Sequence, residues 1–193
     1  MNMTQDIADQ LAELPPGSAA ALKVHPDAYF HVIKSMDVLS RNKDIYVIYI
    51  TSTLPSSSIL SVLKMLDIDT DRMYFVDAIS RIMTGRVMKS DRIIYVESPT
   101  MLENIMLKVE FLSRHDDISK KGAVVVLDSI NSMAIHNNPR ILSEFLHIFV
   151  NSLRGKEFYT AIMAIEEPGS EEIVNLVNFV CDANVIIGEP EEM

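Results

Sequence analysis

Short apolar runs alternate with longer amphipathic segments over most of this chain. The apolar runs predict β-strands at residues 45–50, 73–76, 92–96, 123–127, 160–165 and 183–187. Between them, apolar residues recur at helical spacing, which predicts helices at residues 56–66, 101–113, 139–153 and 170–180. The strand runs are continuously apolar rather than alternating, as in strands that helices cover on both faces. We therefore expect an α/β fold with a three-layer, doubly wound and mainly parallel sheet.

The N-terminal part of the chain has a different pattern. Apolar residues at helical spacing predict one helix that ends at Pro15-Pro16-Gly17 and a second that runs from Pro26 to about Ser40. These helices either form a dimer or partner interface or cover one face of the sheet. The expected organisation is an N-terminal helical segment, an α/β core and an acidic tail, at residues 1–43, 44–188 and 189–193.

Composition and charge exclude several classes of protein. The 193 residues suit one domain, and 17 Lys+Arg against 27 Asp+Glu give a net charge of −10. No basic run is longer than Lys120-Lys121, so we expect no nucleic-acid binding. A single cysteine, Cys181, suits a reducing cytosol. Residues 1–14 lack a signal-peptide pattern and the apolar runs have only strand length, so we expect a cytoplasmic protein without membrane contact.

Acidic residues follow three of the predicted strands. Asp128 and Ser129 follow the run at 123–127, and ligands of parallel sheets bind beyond the carboxyl ends of strands. Alternatively, the Asp128 carboxylate caps the next turn. Asp77 and Glu97 follow two other strands. The three carboxylates either gather around a magnesium ion or are ordinary solvated residues at strand ends, and we favour the second interpretation.

The loop after the first of these strands keeps the spacing of a phosphate-binding loop but not its chemistry. It reads TSTLPSSS, where G-x-x-x-x-G-K-[ST] is required, and only the last serine matches. Thr51 and Ser56 stand at the two glycine positions, Ser57 stands at the lysine position, and Pro55 removes an N–H donor. Ser56 or Ser57 is expected to cap the following helix. We therefore expect no significant ATP turnover.

Five segments in this order carry a family resemblance. They are the strand at 46–50, the strand and acid at 73–77, the helix start Ser98-Pro99-Thr100-Met101-Leu102, the strand at 124–129 and Phe145-Leu146-His147. Together they resemble the RecA/KaiC-like ATPase superfamily, and most closely its archaeal RecA-like members with a decayed P-loop. The resemblance implies a RecA-type core that assembles into rings or dimers. It also implies that Asp128 is the magnesium-linked aspartate of a Walker B strand and that Asp77 stands in place of a catalytic glutamate.

Two functions are consistent with these patterns. The first is a non-catalytic RecA/KaiC-like domain with a degenerate Walker A loop. Such a domain needs no cofactor and acts as a regulatory or protein-interaction module, with a protein partner or as a homo-oligomer. The alternative is an ATP-binding sensor or weak ATPase. Its nucleotide site would be formed by Ser52, Ser56, Ser57, Ser58 and Asp128, with magnesium on Asp128 and Asp77 as the sole catalytic candidate. A phosphoacceptor role for either acid is less favoured, because no lysine partner lies near them in the sequence.

Overall fold

The structure of the chain, a computed structural model, describes residues 2–188. Within this range it contains seven strands: β1 (Ala19–Val24), β2 (Tyr46–Thr51), β3 (Met73–Asp77), β4 (Ile93–Tyr95), β5 (Ala123–Asp128), β6 (Tyr159–Ile165) and β7 (Ala183–Ile187). Its α-helices are α1 (Met3–Ala12), α2 (Tyr29–Lys43), α3 (Ser56–Met65), α4 (Ser80–Met83), α5 (Leu102–Ser113), α6 (Asp116–Lys121), α7 (Ile130–His136), α8 (Pro139–Arg154) and α9 (Glu171–Val180). A 3₁₀ turn at Pro26–Ala28 leads into α2. The acidic tail predicted at 189–193 lies outside the described residues.

The strands form one parallel sheet in the order β4-β3-β2-β5-β6-β1-β7. This arrangement confirms the predicted α/β class and the doubly wound parallel sheet. The six predicted strands and the four predicted core helices all form, each end within one residue of the expected position. The short helices α4, α6 and α7 were not predicted, because each has at most seven residues and too few turns to establish a period.

Strand β1 corrects the expectation that residues 1–43 are only helical. It lies inside the sheet, where Ala19–Val24 pairs with β6 on one side and β7 on the other. Its sequence, AAALKV, contains three alanines, which are poor strand formers, and it therefore gave no strand signal between the two predicted helices. The N-terminal segment consequently supplies part of the same sheet as the rest of the chain.

Helices cover both faces of the sheet. On one face, α1, α2 and α3 pack through Ile7, Leu11, Val32, Met36, Ile59 and Leu63 against strand residues such as Val126 and Met163. On the other face, α5 to α9 pack against alternate residues of the same strands, such as Val125 and Ile162. The N-terminal helices therefore cover one sheet face, which was one of the two roles expected of them. Among the helices within residues 2–188, none combines the length and the apolar character that crossing a membrane requires.

Candidate functional site

The predicted site residues meet at the carboxyl ends of three neighbouring strands. Thr51 at the end of β2 pairs with Asp77 of β3 on one side and with Asp128 of β5 on the other. The two acids therefore flank the start of the serine-rich loop. Glu97 differs from them, because its side chain is 60% exposed and forms an ion pair with Arg81 at 2.7 Å. As far as residue 188, no group of three or more His, Cys, Asp or Glu side chains is placed to hold a metal ion.

Asp77 is fully buried, and both of its carboxylate oxygens accept hydrogen bonds. One oxygen accepts from the backbone N–H of Ser56 at 2.8 Å and from the hydroxyl of Ser80 at 2.6 Å. The other accepts from the N–H groups of Ile79 at 3.0 Å and Ser80 at 2.8 Å. Because Ser56 begins α3 and Ser80 begins α4, a single carboxylate caps two helices. The interpretation of Asp77 as a solvated acid is therefore wrong.

The surroundings of Asp77 keep it ionised. Burial by itself raises the pKa of this carboxyl, but the hydrogen bonds from Ser56 and Ser80 outweigh it and hold the pKa below the usual value. The expected caps of α3, the side chains of Ser56 and Ser57, are not used, since Pro55 is the N-cap residue and no side chain at that position makes the cap. A carboxylate from β3 that is ionised at neutral pH thus occupies the N-terminus of α3, where the helix dipole favours negative charge.

Asp128 is also fully buried, on the face of the sheet that α2 covers. One oxygen accepts hydrogen bonds from the hydroxyl of Tyr29 at the start of α2 and from the hydroxyl of Tyr49 on β2, the latter at 2.7 Å. The other oxygen has no hydrogen-bond partner among the described residues. The interpretation of Asp128 as a solvated or capping acid is wrong. The cap of α7 comes instead from the hydroxyl of Ser129, which accepts from the N–H of Ser132.

Burial dominates the electrostatics of this cluster. It raises the pKa of the Asp128 carboxyl, and the hydrogen bonds from Tyr29 and Tyr49 offset only part of the rise. Burial and the neighbouring carboxylate also raise the pKa of both tyrosine hydroxyls, which therefore remain donors at neutral pH. The result is a carboxylate held by two neutral donors and separated from solvent.

The two tyrosines were not predicted as site residues. Tyr29 is 99 positions from Asp128 and Tyr49 is 79 positions away, so their proximity exists only in the folded chain. One signal was present in the sequence: Tyr49 lies in a continuously apolar strand, where a buried phenol hydroxyl needs a partner. That signal indicates a buried acceptor without identifying it.

The serine-rich loop is tied to the strand ends by its own hydrogen bonds. The N–H of Ser52 donates to the carbonyl of Asp128 at 2.7 Å, and the Ser52 hydroxyl donates to the same carbonyl at 3.1 Å. The Ser132 hydroxyl donates to the carbonyl of Ser52, and the Thr53 hydroxyl donates to the hydroxyl of Ser129 at 3.2 Å. Both backbone polar groups of Ser52 are therefore already hydrogen-bonded within the protein, one to the end of β5 and the other to α7.

The remaining predicted nucleotide-binding serines lie at the first turn of α3. Ser56 is fully buried, and its hydroxyl has no hydrogen-bond partner among the described residues. Ser57 is half-buried and Ser58 is exposed. The N–H of Ser58 donates to the carbonyl of Pro55 at 2.9 Å. Nucleotide binding by these serines and magnesium binding by Asp128 both remain predictions.

We expect Tyr29→Phe to lower the free energy of unfolding by about 1–3 kcal/mol, because it removes one of two donors to a buried carboxylate. The control is Tyr46→Phe, which alters a half-buried tyrosine on the same strand as Tyr49 and should change stability by less than about 0.5 kcal/mol. Urea unfolding of both variants measures the difference. Equal stability of the two variants would mean that the Tyr29 hydroxyl does not hold Asp128.

Comparisons with known proteins establish the fold class. No protein-family model and no curated protein sequence matches the chain. Among solved structures, it is similar to the KaiC-like protein PH0186 from the hyperthermophilic archaeon Pyrococcus horikoshii OT3, with a TM-score of 0.65. The match covers 93% of this chain and 76% of that chain, at 12% sequence identity. The chain therefore has the RecA/KaiC-like fold, as the sequence resemblance implied.

Proposed function

We propose that this chain is a non-catalytic RecA/KaiC-like domain with a degenerate phosphate loop, which acts as a regulatory or protein-interaction module. One observation carries the proposal: the Asp77 carboxylate occupies the N-terminus of α3. In this fold, the helix after the phosphate loop offers its first N–H groups to the phosphates of a nucleotide. An ionised carboxylate at that position repels a phosphate and already uses the N–H of Ser56.

The loop lacks the groups that would overcome this repulsion. Ser57 stands where a lysine would neutralise phosphate charge, and Pro55 supplies no N–H. The backbone N–H groups of Ser52 and Ser56 bond to the two strand-end acids, through the carbonyl of Asp128 and the carboxylate of Asp77. A nucleotide would have to break these bonds without a compensating positive charge.

Asp128 is also poorly placed for magnesium. A magnesium ion needs a carboxylate oxygen that can reach it and a coordination shell that includes several waters. Here Tyr29 and Tyr49 donate to one oxygen, and the carboxylate is closed off from solvent. The fold is retained, but side chains of the protein itself occupy the position of the nucleotide site. This combination suits a domain that acts by binding other proteins.

Release of phosphate from Mg·ATP tests the absence of catalysis. We expect the purified protein to release phosphate no faster than a buffer control. Asp128→Asn, checked for folding by circular dichroism, should give the same background rate. Turnover above background that disappears in Asp128→Asn would contradict the proposal and favour a weak ATPase.

A second candidate is an ATP sensor with an atypical phosphate site. The observation in its favour is that two buried polar atoms beside the loop, one oxygen of Asp128 and the hydroxyl of Ser56, have no partner among the described residues. If the start of α2 moved away with Tyr29, the Asp128 carboxylate would lose one of its two donors and could accept a hydrogen bond from a ligand. Binding of Mg·ATP without turnover would identify this function.

A further inference from the structure

A continuous run of exposed residues connects α4 to β4. This run, the 81–92 segment, begins inside α4 and ends immediately before β4, and every residue in it is exposed. It is nevertheless not uniformly polar, since at least 50% of each of four large apolar side chains is exposed: Ile82, Met83, Val87 and Met88. In the described part of the chain, none of the four packs against the core on either face of the sheet. The core therefore does not require these side chains.

Hydrogen bonds give the 81–92 segment a defined shape in the absence of packing. The N–H of Gly85 donates to the carbonyl of Ser80 at 3.1 Å, and the N–H of Met88 donates to the Tyr95 hydroxyl at 2.8 Å. Gly85 has a φ of 63°, in the left-handed region, and turns the chain between the two apolar pairs. An ordered segment loses less conformational entropy when a partner binds to it.

The charge of the 81–92 segment is opposite to that of the whole chain. The chain has a net charge of −10, yet the segment contains four bases and one acid, which are Arg81, Arg86, Lys89, Arg92 and Asp91. Two of these bases have partners already. Arg81 pairs with Glu97 at 2.7 Å, and Arg92 donates to the carbonyl of Thr70 at 3.1 Å.

The other two bases lie on either side of exposed apolar residues. Between residues 2 and 188, neither Arg86 nor Lys89 forms an ion pair, and Val87 and Met88 separate them in the sequence. The acids of the neighbouring loop are engaged elsewhere, because Asp69 and Asp71 both pair with Arg41. The sequence Arg86-Val87-Met88-Lys89 therefore presents free positive charge and apolar surface together.

Exposed apolar residues on the helices have different surroundings. Phe111, Ile148 and Phe179 lie on α5, α8 and α9, and these three helices together carry five acids and three bases. Only a partner with negative charge gains from both features of the 81–92 segment, since its acids meet the free bases and its apolar groups cover Val87 and Met88.

We propose that the 81–92 segment binds an acidic stretch of a partner protein in which carboxylates and apolar side chains lie close together. The carboxylates pair with Arg86 and Lys89, and the apolar side chains cover Val87 and Met88. Methionine suits such a contact, because its unbranched side chain adapts to the shape of the partner. An anionic membrane is less favoured, because the segment has no aromatic residue to anchor it and two free bases attract lipid only weakly.

This inference names the class of partner for the proposed protein-interaction module, and it rests on that proposal. It also places the partner beside the closed nucleotide site. The segment continues from the start of α4, where the N–H groups of Ile79 and Ser80 donate to the Asp77 carboxylate. A bound partner would therefore lie next to the carboxylate that occupies the N-terminus of α3.

Selection of random phage-displayed peptides on the immobilised full chain tests the proposal. We expect the enriched peptides to combine Asp or Glu with apolar residues. Their affinity is then measured by fluorescence anisotropy with two double variants, Arg86→Glu with Lys89→Glu and Val87→Ser with Met88→Ser. Each should weaken binding about tenfold or more. All four positions are exposed, so both variants should keep the stability of the wild type.

The matched control is Arg114→Glu with Arg140→Glu, which makes the same change in net charge at exposed positions outside the segment. It should change the affinity by about twofold or less. Enriched peptides without acids, peptides that bind the Arg86→Glu, Lys89→Glu protein as tightly as the wild type, or no enrichment would overturn the proposal. Binding to phosphatidylserine vesicles that this variant loses would assign the segment to a membrane and would also overturn it. Phosphate release from Mg·ATP by the same samples would contradict the proposed function and leave the peptide result unaffected, so the two failures are distinguishable.

Discussion

Replacing Asp77 with alanine is expected to lower the free energy of unfolding by about 3–5 kcal/mol. The reason is that one carboxylate accepts three backbone N–H groups and one hydroxyl, all buried, and caps the N-termini of α3 and α4. Alanine leaves these donors without an acceptor and removes the negative charge from both helix starts. Urea unfolding at neutral pH measures the loss.

The matched control is Glu97→Ala, which removes the acid that follows the neighbouring strand. Glu97 is 60% exposed and, within residues 2–188, forms an ion pair only with Arg81, so the change should cost less than about 1 kcal/mol. A loss in Asp77→Ala no larger than in Glu97→Ala would mean that Asp77 does not cap the helices. Its position would then be open to the phosphate of a ligand.

The pH dependence of stability provides a second measure of Asp77. Its pKa is lower in the folded chain than in the unfolded chain, so the unfolded chain binds more protons between the two values. The stabilisation is therefore complete above the ordinary pKa near 3.8 and is lost as the pH falls through the folded value. In Asp77→Asn, this part of the acid-induced loss should be absent.

Deleting residues 1–25, which include α1 and β1, is expected to abolish cooperative folding. Strand β1 pairs with both β6 and β7, so its removal leaves β7 without a neighbour and exposes the edge of β6. It also removes Leu22 and Val24, both fully buried. Thermal or urea unfolding followed by circular dichroism should show no cooperative transition.

Two single substitutions within β1 test its contribution to stability with smaller changes than the deletion. Leu22→Ala should lower the free energy of unfolding by about 2–5 kcal/mol because it opens a cavity in the core. Lys23→Ala, at the adjacent position, removes a half-exposed ion pair with Glu166 and should cost less than about 1 kcal/mol. A cooperative transition in the shortened chain would show that the sheet forms without the N-terminal segment.

The fold was predictable where burial on both faces dictates composition. Strands such as β5, with the sequence AVVVLD, consist of β-branched and apolar residues because helices cover both sides of them. Strand β1 has the same environment but is built from alanines, and its identity depends on pairing with β6 and β7. Those partners lie more than 130 positions further along the chain, where no local pattern reveals them.

The sequence predicted where the two acids of the site lie, but not which groups surround them. The sequence placed Asp77 and Asp128 after two predicted strands, and parallel pairing of both strands with β2 brings the two acids to either side of Thr51. Their surroundings depend on distant groups: Tyr29 reaches Asp128 from α2, and the N–H of Ser56 reaches Asp77 from α3. Contacts between residues so far apart in the sequence produce no repeating pattern of residue types. Both acids were therefore expected to be solvated.

The most direct test is a calorimetric titration of the wild-type protein with Mg·ATP and Mg·ADP, beside a metal-free control. It measures whether the protein's own side chains prevent a nucleotide from binding. We expect no heat beyond dilution, because Asp77 accepts from the start of α3 and Tyr29 and Tyr49 donate to Asp128. Saturable, magnesium-dependent heat that disappears in a folded Asp128→Asn variant would contradict it and make the chain a nucleotide-binding protein.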